Sequence, residues 1–132
     1  MKFSEVDSNF IIASKAAFNI SFIYKINENH QRSIEFAKKA IEFSELSGDP
    51  ETYLKRRSNL GVAYLLGYNR TLDSVKGAAY ADSARVEFEE MTVYTEKYLD
   101  EIKSEGLSED KIRRIDVLLN DIYSNLSPIY TS

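Results

Sequence analysis

An all-α fold is expected, and three observations predict it. Apolar residues recur at three- and four-residue spacing through most of the chain, while the polar–apolar alternation of strands is absent. Only two prolines occur in 132 residues, Pro50 and Pro128, and both fall at expected helix edges. Between Asp49 and Gly67 one segment carries an N-cap, a first-position proline, a first-turn carboxylate at Glu51 and a glycine stop. Its last two turns hold Leu60, Val62, Ala63, Tyr64, Leu65 and Leu66, which leave almost no polar face. A helix apolar on nearly all sides must be covered from more than one direction. The segment therefore belongs at the centre of a stack of helices.

Five antiparallel helices, at about 5–26, 30–47, 50–66, 78–104 and 108–126, account for the pattern within one domain spanning 1–132. In the first, Ser4 and Asp7 make a capping pair. Phe10, Ala13, Ala17, Ile20 and Tyr24 form its buried stripe, widened by Ile11, Phe18 and Phe22. The second buries Ile34, Ala37, Ala40, Ile41 and Leu46, turns Lys38 and Lys39 outward, and ends at Gly48 in the left-handed conformation. Residues 68–79 read as a short helix or a loop, since Gly77 weakens a helix there. The fourth helix sets Ala81, Ala84, Phe88, Met91, Thr95, Tyr98 and Ile102 in a coiled-coil-like seam opposite Glu87, Glu89, Glu90 and Glu96. The fifth is capped by Ser108, with Leu107 stapled onto Ile112. It buries Ile112, Ile115, Leu118, Leu119, Ile122 and Leu126, leaves Arg113, Asp116, Asn120 and Asp121 to water, and ends before Pro128.

Composition narrows the chemistry. With no cysteine, disulfides, zinc–cysteine sites, iron–sulfur clusters and thiol catalysis are excluded. No signal-peptide core opens the sequence and no apolar run spans a bilayer, so a cytoplasmic protein is expected and the sequons at Asn19, Asn69 and Asn125 are chance matches. A net charge of −4 argues against nucleic-acid binding, and the one basic run, Lys55, Arg56 and Arg57, echoed by Arg113 and Arg114, reads as a solvated helix face.

Self-comparison gives the most specific signal. Lys15, Asn19, Ile20, Ser21 and Tyr24 return forty residues later as Lys55, Asn59, Leu60, Gly61 and Tyr64. The aliphatic and the tyrosine bury together, and the small residue admits the partner helix, which answers with Ser33, Ala37 and Ala40. Over about 14–67 this resembles the tetratricopeptide repeat (TPR), most closely its 40-residue variant. The resemblance implies a right-handed TPR-like stack with the fifth helix covering its open end. In the second unit Ala84, Phe88 and Met91 stand in for the small residues about eleven positions late, so either the helices are longer or 68–79 is an inserted loop.

The same resemblance implies a non-catalytic protein- or peptide-binding module acting as an adaptor or regulator, with Lys15, Asn19, Lys55, Asn59 and Arg114 lining a concave groove. A lysine there can pair with a carboxylate, and an asparagine can hold a peptide backbone with donor and acceptor; the plainer account is water-facing lysines and asparagines kept for packing. The alternative function is a small bundle that oligomerises, as a homodimer for example, or inhibits a larger enzyme through the fourth helix. There Val86, Val93 and Tyr94 make a semi-apolar strip, which either meets a partner or packs under 68–79. Neither an enzyme nor a cofactor is expected. His30 is the only histidine, so a His-based metal site or a catalytic triad has nothing to build on, and the Glu-rich face lacks the histidine spacing of a di-iron bundle.

Overall fold

The computed structural model describes residues 6–106 and 108–131. Side-chain caps set where its helices begin. α1 (Ser8–Ile26) starts at Asp7, whose carboxylate accepts the Asn9 N–H; Asp7 is thus the N-cap itself, and Ser4 lies outside the described residues. α2 (His30–Ser47) is capped by Asn29 and ends at Gly48, where φ is 71°. α3 (Pro50–Arg70) is capped by Asp49, which accepts from the Thr52 N–H and hydroxyl. α4 (Ser74–Ser104) is capped by Asp73, and α5 (Glu109–Thr131) by Ser108, whose Oγ accepts the Lys111 N–H. Leu107, the expected staple, lies outside the described residues.

Three helix ends differ from the sequence reading. α3 runs past Gly67 to Arg70 and α4 begins at Ser74, so 68–79 is helical on both sides of a turn at Thr71, Leu72 and Asp73. The eleven-residue delay is extra helix. Gly67 serves a close approach: a Cβ there would stand 3.0 Å from the Tyr80 ring of α4. α5 continues through Pro128 to Thr131. Pro128 is exposed, and its ring supplies no N–H to the helix at that position.

Each helix packs on the next, α1 also touches α3, and α3 also touches α5. Ile34, Ala37 and Ile41 of α2 meet Tyr53, Leu60 and Ala63 of α3. Leu54 of α3, Ala84, Phe88 and Met91 of α4, and Ile122 and Leu126 of α5 form a second cluster. Leu99 and Ile102 meet Ile115 and Leu119 in a third. Among the described residues, no helix is long and apolar enough to cross a membrane.

α1 belongs to none of these clusters. Its buried residues are Ser14, Ala17 and Ser21. Ser14 Oγ donates to the Ala40 carbonyl at 2.8 Å and Ser21 Oγ to the Ser33 carbonyl at 2.7 Å. Rings stack at the two ends of this seam, Phe10 on Phe43 and Tyr24 on Phe36. The expected stripe is corrected here: Ile20 is 39% exposed and Phe22 43%, and on α2 Leu46 is 59% exposed. Small side chains let the two axes come close, and their hydroxyls find backbone carbonyls, so the larger aliphatic residues are turned out.

The forty-residue echo is kept where it concerns the following helix. Ser21 meets Ser33 of α2, and Gly61 meets Phe88 of α4. Tyr24 lies on Phe36 and Tyr64 on Tyr80. It is broken where it concerns the preceding helix. Leu60 is buried against α2, whereas Ile20 has no helix before it among the described residues and is exposed.

Candidate functional site

The five groove residues fall on α1, α3 and α5, and the structure does not gather them into one row. Lys15 and Asn19 are exposed on α1. Lys55 and Arg114 converge on Glu51, a buried carboxylate in the first turn of α3. Lys55 Nζ lies 3.1 Å from Oε2, and Arg114 grips both oxygens, Nε at 2.9 Å and Nη2 at 3.1 Å. These two cations are thus already paired across α3 and α5.

Burial alone would raise the Glu51 pKa, but hydrogen bonds from Arg114 and Lys55, together with their charges, outweigh it and hold the carboxyl below its ordinary value of 4.5. A carboxyl depressed in the folded state stabilises the fold above its unfolded pKa and loses that contribution as pH falls through the folded value. Glu51→Gln is therefore expected to cost about 1 kcal/mol at neutral pH, kept small because both cations are half exposed. The difference from the parent chain should shrink as the pH falls below the ordinary carboxylate range and Glu51 takes up its proton. Urea titrations across this range check it; a constant difference would mean that shape, not charge, is responsible.

Asn59 is half-buried and lines a cleft of about 100 Å³ between α1 and α3, together with Phe18, Phe22, Lys25 and Val62. The Lys25 ammonium stands 4.4 Å over the Phe22 ring, which holds the charge at the rim. The cleft can take a small apolar group beside an amide and a cation. Phe22, Lys25 and Val62 were not selected from the sequence as site residues. The signal was present: Phe22 and Val62 each follow the repeated asparagine by three residues and so share one register. Asn19 is not in this cleft.

The basic run is not one solvated face. Lys55 turns to Glu51. Arg56 donates from Nε to Ser14 Oγ at 3.0 Å and lies 5.0 Å over the Phe18 ring of α1; burial lowers its pKa. Arg57 turns the other way, to Glu87 at 2.6 Å and Glu90 at 2.5 Å on α4, and to the Tyr53 hydroxyl at 2.7 Å. Burial opposes the Arg57 charge, but those partners outweigh it and raise its pKa. The acidic face of α4 is likewise engaged: besides Glu87 and Glu90, Glu89 accepts from Arg85 and from Tyr130, and Glu96 from Tyr123.

Glu89, Tyr123, Leu126 and Tyr130 also border an open hollow of about 430 Å³ between α4 and α5. Val86, Val93 and Tyr94 are exposed along α4 and do not pack beneath 68–79. His30 opens α2 and is half-buried. Among the described residues, no group of three or more His, Asp or Glu side chains could hold a metal ion. Comparison of the chain with family models, curated proteins and solved structures finds no match.

Proposed function

We propose that the chain is a non-catalytic protein- or peptide-binding module of tetratricopeptide type, a right-handed helical stack that works in the cytoplasm as an adaptor or regulator. The order of packing supports the stack. Each helix meets its successor, and α3 also meets α1 and α5, as the first helices of successive repeats would. The cleft between α1 and α3 carries the binding reading. It combines apolar sides from Phe18, Phe22 and Val62, a floor of Ser21, Ser33 and Ala63, the Asn59 amide and the Lys25 ammonium at the scale of one side chain. A peptide would seat an apolar side chain between Phe22 and Val62, bond its backbone to Asn59 and set a carboxylate against Lys25.

Panning the chain against a displayed random-peptide library tests this. Enriched sequences are expected to place an acidic residue near an apolar one. They should bind Asn59→Ala and Lys25→Ala about tenfold more weakly, or worse, which is the loss of roughly one charge-assisted hydrogen bond. Failure to enrich any sequence, or equal binding by both variants, would overturn the reading.

A further inference from the structure

α1 is apolar on the side away from α2 and α3 as well. Ile12, Ala16, Asn19, Ile23 and Ile26 are all exposed and follow one another at steps of four, three, four and three. That spacing places them on one line along the helix, the geometry of a coiled-coil seam with a single asparagine at its middle. Ile20 and Phe22 flank the line. The charged side chains beside the seam are Lys15 and Lys25, whose ammonium lies over the flanking Phe22 ring, so the five seam positions themselves carry no charge.

The forty-residue register explains why the face exists. Ile20 and Ile23 are counterparts of Leu60 and Ala63, which α3 buries against the helix before it. α1 occupies the same place with no helix before it among the described residues. The opposite end of the stack is closed differently. The outward residues of α5 are Arg113, Asp116, Asn120, Asp121 and Ser124 around Val117. A head-to-tail contact would set isoleucines on that polar surface. A face-to-face contact buries apolar against apolar and closes after two copies.

We propose that the chain forms a two-fold symmetric homodimer through the Ile12–Ala16–Asn19–Ile23–Ile26 face of α1. Ile12, Ile20, Phe22, Ile23 and Ile26, 39–67% exposed, present on the order of 500 Å² of apolar surface per copy. With the stems of Lys15 and Asn19 this approaches the ~800 Å² per partner of a standard interface. Asn19 sits where one polar pair in an apolar seam selects register. The five seam residues do not line the cleft, although the flanking Phe22 borders both.

Sedimentation equilibrium over a roughly hundredfold concentration range tests it. The full chain should run at twice its 15.1 kDa mass. Ala16→Arg and Ile23→Asp, both on exposed positions, should weaken the dimer about 100-fold or more while the helical circular dichroism is unchanged. Val93→Asp on α4 should leave it intact. A parent chain that stays monomeric overturns the proposal and assigns the face to a helix of another protein. Survival of the dimer in both α1 variants, or its loss in Val93→Asp alone, overturns it as well.

Discussion

Phe88→Ala should lower stability by roughly 3–5 kcal/mol and the melting midpoint by about 10–20 °C. Phe88 is fully buried at the centre of the cluster shared by α3, α4 and α5, so its loss opens a cavity bounded by three helices. The ring rests on the backbone of α3: a Cβ at Gly61 would lie 2.7 Å from Phe88 Cε1 and 2.8 Å from Cζ. The pair is therefore coupled. Gly61→Ala gains about 1 kcal/mol of helix propensity but forces the ring to move, for a net loss of about 0–2 kcal/mol. With the ring removed by Phe88→Ala, the same substitution should become stabilising, because the propensity gain remains and the methyl enters empty space. A urea-denaturation cycle over the four chains measures this. Additive effects would show that the ring and the glycine do not hold α3 and α4 at their observed separation.

Arg57→Ala should cost about 2–4 kcal/mol. Arg57 is engaged by Glu87, Glu90 and the Tyr53 hydroxyl, and its side chain is 14% exposed while that of Glu87 is 18%. Removing it leaves the Glu87 charge and the Tyr53 hydroxyl without that partner in a poorly solvated place. Glu90 is half exposed and adds little. If the cost comes from the stranded carboxylate, the triple variant Arg57→Met, Glu87→Gln, Glu90→Gln should regain most of it, since an apolar stem and neutral amides need no counter-charge. Urea midpoints of the single and triple variants decide the matter. Equal losses in both would assign the effect to the Arg57 guanidinium over the Tyr53 ring, which methionine lacks.

What the sequence made legible was local chemistry. Asp49, Pro50 and Gly48 mark a helix start and stop through their own backbone and side-chain preferences, and the structure places them there. Gly67 was misread because its purpose is contact with Tyr80, a residue of another helix. The periodicity of α1 set the buried stripe to one side of the true one, with Ile20 and Phe22 turned out, because apolar residues surround the helix; Ser14 and Ser21 decide which side is buried, through carbonyls of α2 that no pattern within α1 contains. The fate of Lys55, Arg56 and Arg57 was readable in principle. Consecutive helical residues point about 100° apart, so three in a row cannot share one face. Of the groove residues, the echo put Lys15 and Lys55 at equivalent exposed positions, but it could not show that Glu51 draws Lys55 and Arg114 together.

The serine seam between α1 and α2 has a thermal consequence. Between the ring stacks at its ends it joins two helices with hydroxyl–carbonyl bonds and alanines, and there hides little hydrocarbon from water. Exposing such a surface adds little to the heat capacity of unfolding, since that quantity follows apolar area. The hold on α1 therefore weakens less on cooling than the aliphatic clusters of α3, α4 and α5, whose cohesion fades as the free-energy cost of hydrating carbon falls.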